Sequence, residues 1–374
     1  GSTATLLTGS SLTGASGELD ANVAGASTLT VGSGVTFTPK RLRVSDAGST
    51  VVSNSDLSFP VATDFELSAG GRLNLRTPAS FSIASLNGAN AQGGTLDLGT
   101  GCRLQVISNA LSVANGVTLV KDGVFGATGD AIGALTVQSG GVVTHALRDT
   151  AGLVLNVGGT LDVQLGGLID LNGKGLLGGL GLNEPGETFN ALDQIVAGAG
   201  GAGTFGAGGS YGGVGGNSSQ ASSGPVYGLL ENPRHLGSGG GGATVPAPRA
   251  NGGGRARLTA ATMVLNGTVR ANGDNSVFVN GISGAGSGGS LLLDVGTLQG
   301  AGTIQANGGS GFAVVGGTGS GGGGRIAVRY GSLGVPLPIL TAQGGGNPGV
   351  PGSAGTIFLK DNAQPNGDLI VDNG

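Results

Sequence analysis

Tryptophan is missing from this chain, methionine and cysteine occur once each, and aromatic residues make up 3% of its 374 positions. Few large side chains are available, so any core must be thin and built from Val, Leu and Ile. Cys102 is the single cysteine, which excludes an internal disulfide and a thiolate metal centre. The two histidines, His145 and His235, lie far apart in the chain and supply no multi-histidine metal site. Charged residues are 10% of the chain and the formal net charge is −4, so there is no basic footprint for nucleic acid. That charge is also too small to drive disorder. No apolar run reaches the roughly 18 residues of a helical membrane span. The opening Gly1-Ser2-Thr3 lacks the basic and apolar regions of a secretory leader, so the numbering is expected to begin at a mature or trimmed end.

What the chain has in abundance is glycine, at 84 positions. Glycine is costly to order and a poor helix former, which argues against a helical bundle or an ordinary α/β enzyme. Collagen is excluded because glycine does not recur at every third position and only 13 prolines are present.

Short segments of alternating apolar and small polar residues begin at Leu29, Val51, Leu73 and Leu96, each about 22 residues after the one before. Leu135 and Leu161 continue the theme less regularly. In the second half, segments starting at Gly254, Gly289, Gly324 and Gly355 recur at a longer step of about 31–35 residues. Each is followed by a second segment closing on a polar turn, as in Val269-Arg-Ala-Asn-Gly273, Ile304-Gln-Ala-Asn-Gly308, Leu340-Thr-Ala-Gln-Gly344 and Ile370-Val-Asp-Asn-Gly374. Such alternation marks strands with one buried face, and the shorter repeat is too short for a propeller blade. The expected fold is all-β, a single parallel β-helix (β-solenoid) with a glycine-rich insertion. Residues 1–175 form coils of about 22 residues with a strand-like amino-terminal extension, 176–254 the insertion, and 255–374 coils of about 31–35 residues with glycine-rich loops. Leu96, Leu98, Leu161 and Val163 should point inward, and Thr95 and Asp97 should face water. Loops 274–288 and 310–323 should emerge on one side. Phe189 to Val196 is the one stretch with a helical pattern.

Between 197 and 254, more than one position in three is glycine. One reading is a flexible linker. The reading adopted is an ordered insertion of extended or polyproline-II strands, packed closely because glycine lets backbones approach, with Phe205, Tyr211 and Tyr227 as anchors.

The phrases Gly208-Gly-Ser-Tyr-Gly-Gly213, Leu236-Gly-Ser-Gly-Gly-Gly-Gly242, Leu265-Asn-Gly-Thr-Val-Arg-Ala-Asn-Gly273, Gly300-Ala-Gly-Thr-Ile-Gln-Ala-Asn-Gly-Gly309 and Gly321-Gly-Gly-Gly-Arg-Ile-Ala327 resemble the glycine-rich repeats of very large bacterial cell-surface and secreted proteins with pectin-lyase-like parallel β-helices. The resemblance covers about residues 155 to 374. It implies export and a surface role; that group has no single activity, so no functional residue is carried over.

A β-helix enzyme acting on polysaccharide would need carboxylates or basic residues on one exposed strip. His145, Arg148, Asp149, Asp162 and Asp170 are the candidates, weighed against plain solvated positions, and the latter reading is preferred: no catalytic, cofactor-binding or metal-binding residue is assigned. Phosphate-loop spacing is absent. Asp274-Asn275, Asp361-Asn362, Asp368 and Asp372-Asn373 place oxygen donors on turns, which leaves a structural calcium as an alternative. Asn217 and Asn266 head glycosylation triplets that carry no weight in the bacterial chain that the resemblance implies. A solenoid has two open ends. The amino-terminal Thr3, Leu6 and Leu7 and the carboxyl-terminal Leu369, Ile370 and Val371 are the assembly candidates, since neither end shows an amphipathic cap. The expected role is a non-catalytic extracellular structural protein of a bacterial surface. It would act as an adhesin or spacer rod, or as a filament subunit stacked end to end with other copies. The alternative is a protein that binds or cleaves surface polysaccharide.

Overall fold

The computed structural model describes residues 3–6, 11–12, 19–76, 79–126, 132–181, 184–198, 200–202, 205–243, 249–276, 282–312, 317–346 and 349–373. They are essentially all-β, with long parallel sheets compatible with a β-solenoid and no α-helix. Two compact units are formed. Unit 1 comprises Gly1–Thr144, Leu153–Ile169 and Thr259–Gly267, and unit 2 comprises His145–Gly152, Asp170–Leu258 and Thr268–Gly374. Thr259–Gly267 falls in unit 1, and the described part of the glycine-rich segment 176–254 falls in unit 2.

In unit 1 the short sequence repeat becomes a register. Leu29 pairs with Val51, Val51 with Leu73, Leu73 with Leu96, Leu96 with Leu119, Leu119 with Val143 and Val143 with Ile169, all in parallel strands. A second column stacks Leu57, Phe81 and Leu104, and a third stacks Leu111, Leu135 and Leu161. Leu135 and Leu161 therefore do not extend the Leu29 column, as the sequence theme suggested; they belong to a different sheet. Alternation decides which side chains go inside: Leu73, Leu96, Leu98, Leu161 and Val163 are all buried. Phe59, Phe65 and Phe81 meet with centroids 5.0–6.0 Å apart and supply the bulk that tryptophan would otherwise give. Asp97 departs from expectation. It is 7% exposed, because Arg72 (2.5 Å) and Arg76 (3.7 Å) close over its carboxylate.

Unit 2 repeats the same logic at the longer spacing. Leu291, Ile326 and Ile357 stack in one column, and Val269, Ile304 and Leu340 in another. Asparagines tie the corners together. Asn172 Oδ1 accepts the Asn272 N–H (2.8 Å), Asn272 Oδ1 that of Asn307 (2.7 Å), and Asn307 Oδ1 that of Gln343 (2.9 Å).

One expectation fails in unit 2. Phe189 to Val196 is not helical: Glu187–Phe189 and Ile195–Ala197 form an antiparallel hairpin whose turn is held by Asn190 Oδ1 accepting from Leu192 and Gln194. The hydrogen-bonding Asn and the left-handed Asp193 (φ 58°) favour a turn over helix continuation. The described glycine-rich parts of loops 274–288 and 310–323 are buried in the packing set out next.

Candidate functional site

The glycine-rich segments of unit 2 are ordered by a hydrogen-bond pattern that repeats every third residue. Gly206 and Gly209 donate to Ile282 and Ala285. Gly237 and Gly240 donate to Gly253 and Ala250, and Gly239 and Gly242 to Glu187 and Glu184. Ala285 and Gly288 donate to Gly319 and Gly322, which in turn donate to Gly206 and Gly209. A β-strand would point its N–H groups alternately to two neighbours. Here successive residues address three. At Gly208 a Cβ would overlap the Ser320 carbonyl, and at Gly284 that of Ala207, so these backbones touch at a distance only glycine permits. Buried hydroxyls tie in what the backbone leaves: Ser238 Oγ donates to Ser210 O (2.6 Å), and the Ser238 N–H donates to Ser287 Oγ (2.8 Å).

Aromatic residues lock this packing on one flank. Tyr211 is fully buried, and Tyr227 is half-buried with its ring centroid 4.7 Å away. Phe189 lies 5.7 Å from Tyr227 and 5.0 Å from His235. The Arg325 guanidinium sits 5.5 Å from the Tyr211 ring and donates twice to the Tyr227 carbonyl (3.1 and 3.0 Å). Burial raises the Tyr211 phenol to about 12 and pushes Tyr227 up as well. His235 is held below its ordinary value chiefly by burial, against the opposing pull of Asp193, whose Oδ1 lies 2.8 Å from Nε2. Phe205, the third proposed anchor, stands apart from these rings, half-buried and bridged to Ile282. Sequence reasoning missed Arg325 and His235; the one clue was an arginine following four glycines where the adjacent repeats carry Ser290 and Thr356.

The charged candidates resolve into separate structural pairs. His145 is fully buried, not part of an exposed strip: its Nδ1 lies 2.7 Å from Ala146 O, and its Nε2 accepts the Arg255 N–H at 3.2 Å, which fits a neutral ring protonated at Nδ1. Arg148 grips Glu187 with two bonds of 2.7 and 2.8 Å. Although partial burial opposes it, that grip and the Leu177 N–H hold the Glu187 carboxyl below its ordinary range. Asp149 accepts from Ala151, Asp162 from Gln164, and Asp170 from Arg270 at 3.0 and 2.7 Å. Of the calcium candidates, Asp274 accepts from the Asn251 N–H, Asn275 from Ser310 and Asp361 from Ala363. Among the described residues no three His, Cys, Asp or Glu gather as a metal group.

At the chain ends, Thr3–Leu6 pairs in parallel with Thr28–Val31 of its own chain, Thr3 opposite Thr28 and Leu6 opposite Val31; Leu7 lies outside the described residues. Asp368–Ile370 does not stack in parallel on Ile339–Thr341 as the repeat implies. It folds back antiparallel onto Thr356–Asp361, with Leu369, Ile370 and Val371 exposed at 53%, 42% and 60%. The polar turn after Asp361 reverses the chain there: Asp361 Oδ1 accepts the Ala363 N–H and its carbonyl that of Gln364. Asn373 Oδ1 nevertheless accepts the Gly344 N–H (2.7 Å), so an asparagine still closes the corner. Among the described residues no helix is long and apolar enough to cross a membrane. Comparison with protein-family models, curated proteins and solved structures finds no match.

Proposed function

We propose that the protein is a non-catalytic structural component of a bacterial exterior, a β-solenoid that serves as an adhesive or spacer segment or stacks with copies of itself. In this reading the glycine-rich segments are polyproline-II strands, whose three residues per turn match the three-residue hydrogen-bond period. That period is the observation that carries the proposal. Polyproline-II strands have no internal hydrogen bonds, so each must borrow every bond from a neighbour, and the result is a rigid, backbone-filled body with little room for a substrate. Low charge, one buried cysteine and the resemblance to bacterial surface repeats favour an exterior location.

One observation favours the polysaccharide-binding alternative. A cleft of about 370 Å³ is lined by Tyr330, Asp361, Gln364, Asn366 and Asp368, a ring beside planar hydrogen-bonding groups. Incubating the protein with acidic and neutral polysaccharides separates the readings. Retention on bacterial surfaces or stacking without product release supports the structural role, whereas release of unsaturated or reducing ends would replace it with an enzyme.

A further inference from the structure

Asparagine followed by glycine recurs along this chain, and the pair carries a reaction of its own. The glycine nitrogen reaches the asparagine carboxamide with no Cβ in the way. Where its N–H points decides whether it does so. Gly116 donates to Gly140 O (3.0 Å), Gly173 to Asn272 O (3.0 Å), Gly252 to Leu176 O (3.0 Å), Gly267 to Val163 O (2.8 Å), Gly273 to Asn307 O (2.9 Å) and Gly308 to Gln343 O (2.8 Å). Each of these nitrogens is held by another segment and attacks only by breaking that bond. Gly88 is different. It is exposed, its N–H has no acceptor among the described residues, and a Cβ there would meet only Ala114 at 3.5 Å. Gly367 also lacks an acceptor, but its surroundings on the last hairpin depend on any chain beyond Gly374.

The turn at 87–90 primes the carboxamide as well. The Ala89 N–H donates to Asn87 Oδ1 (2.8 Å), which folds the side chain over the Gly88 nitrogen between them and draws electrons from Cγ. Asn87 O accepts from Asn90 and Ala91, and the Asn87 N–H donates to Oδ1 of the buried Asn90 (3.0 Å). Asn90 Nδ2 in turn donates to Ser85 O (2.7 Å) and Ala62 O (3.2 Å), so the turn is anchored to the coils around it.

We propose that Asn87–Gly88 is a self-modification site, where the folded chain deamidates without an enzyme. Gly88 N gives its proton to hydroxide, and its electron pair forms a bond to Asn87 Cγ. The oxyanion that develops on Oδ1 is met by the Ala89 N–H already bonded there. The bond from Cγ to Nδ2 then breaks, and that nitrogen leaves as ammonia with a proton taken from water. Water opens the five-membered imide that remains. Attack at Cγ leaves an aspartate, and attack at the main-chain carbonyl leaves an isoaspartyl link. Either product puts a carboxylate where a neutral amide stood, and the second also lengthens the main chain by one carbon beside Asn90. The site is independent of the structural role proposed above.

The test is peptide mapping by mass spectrometry of the full chain held in mildly alkaline buffer, folded and in guanidinium chloride. Asn115–Gly116 is the internal control, because both of its residues are exposed whereas Asn87 is half-buried. Were exposure in command, Asn115 would convert faster. The expected result is the reverse: in the folded chain Asn87 converts at least about fivefold faster, the factor set by the one hydrogen bond that Gly116 must break. In guanidinium those bonds are gone and the two rates should converge. Gly88→Ala, for which the turn has room, should slow conversion of Asn87 in both conditions and leave that of Asn115 unchanged. An Asn115 rate equal to or above that of Asn87 in the folded chain would overturn the inference. So would a preference for Asn87 that persists in guanidinium, or an intact Asn87 in the folded chain after the unfolded chain has converted.

Discussion

Replacing Gly284 by alanine tests whether backbone contact holds unit 2 together. An added Cβ would fall on the Ala207 carbonyl and against Gly206, and both obstacles are main chain with no flexible side chain to yield. The two segments must separate by about 1 Å or more to restore ordinary contact. That movement strains the bonds from Gly284 N to Gly241 O (2.8 Å) and from Gly206 N to Ile282 O (3.1 Å). Overpacking costs about 1–3 kcal/mol, two weakened hydrogen bonds about 1 kcal/mol each, and the loss of unfolded-chain entropy returns about 0.4–1 kcal/mol. The net expectation is a loss of about 2–5 kcal/mol, or roughly 1 M in the urea midpoint for a slope near 3 kcal/mol/M. Gly346→Ala is the control, because nothing lies within 4 Å of its Cβ position. It should be neutral or slightly stabilising. Urea unfolding followed by circular dichroism and tyrosine fluorescence gives both midpoints. Equal midpoints for the two variants would refute close backbone packing as the source of stability.

Tyr211→Phe should leave stability within about 1 kcal/mol of wild type or raise it, since the buried Tyr211 hydroxyl makes no hydrogen bond of good geometry even with Ser290 and the His235 backbone close by. Tyr211→Ala should cost about 3–5 kcal/mol, and the same urea curves check both. Arg325→Lys should destabilise nearly as much as Arg325→Ala, because an ammonium cannot reproduce the fork on the Tyr227 carbonyl while stacking on Tyr211; thermal melts of the two variants decide it. His235 has its pKa lowered from 6.5 in the folded state, so the unfolded chain binds the proton more readily. Its contribution is present above that value and lost as pH falls below it. Melting temperature should therefore drop on acidification through that window, and His235→Asn should flatten this step. Glu187 and Asp193, both depressed, add a further loss at lower pH as their carboxylates protonate.

The strands of unit 1 were legible because period-two alternation and a regular repeat are written in side chains: Leu73 sits opposite Leu96 as their spacing implied. Spacing alone puts Leu135 and Leu161 in the wrong column, because all three columns carry the same kind of residue and nothing in the chain marks which sheet a segment joins. Asp97 escapes a sequence reading because Arg72 and Arg76 lie at the paired strand earlier in the chain, and their reach is visible only once the register is known. The hairpin at 187–197 hides behind an apolar spacing that suits a short helix equally well; its turn depends on Asn190 bonding to its own backbone. The aromatic anchors Tyr211 and Tyr227 could be picked out as bulky residues in a glycine field. Arg325 could not be paired with them, since it comes from a much later repeat and reads as an ordinary strand start.

The pairing pattern of the glycine segments was the hardest feature to read, for a physical reason. A side-chain period shows in sequence because alternate positions differ in polarity, but a three-neighbour backbone array needs only that every position be small, so it writes no period at all. Gly208, Gly239, Gly284 and Gly321 are equivalent in the sequence and inequivalent in their partners: each addresses a different segment, and which one follows from where the flanking strands leave the chain. The register of the array is therefore set from outside, by the strands Ser290–Gln299 and Arg325–Leu333 and by the aromatic lock at Tyr211, Tyr227 and Arg325. It follows that weakening the lock should loosen the glycine packing before the strands. In amide hydrogen exchange of Arg325→Ala, protection at Gly237, Gly240 and Gly288 should fall while that at Leu291 and Ile326 persists. Loss of protection at all of these positions together would mean that the array and the strands unfold as one unit.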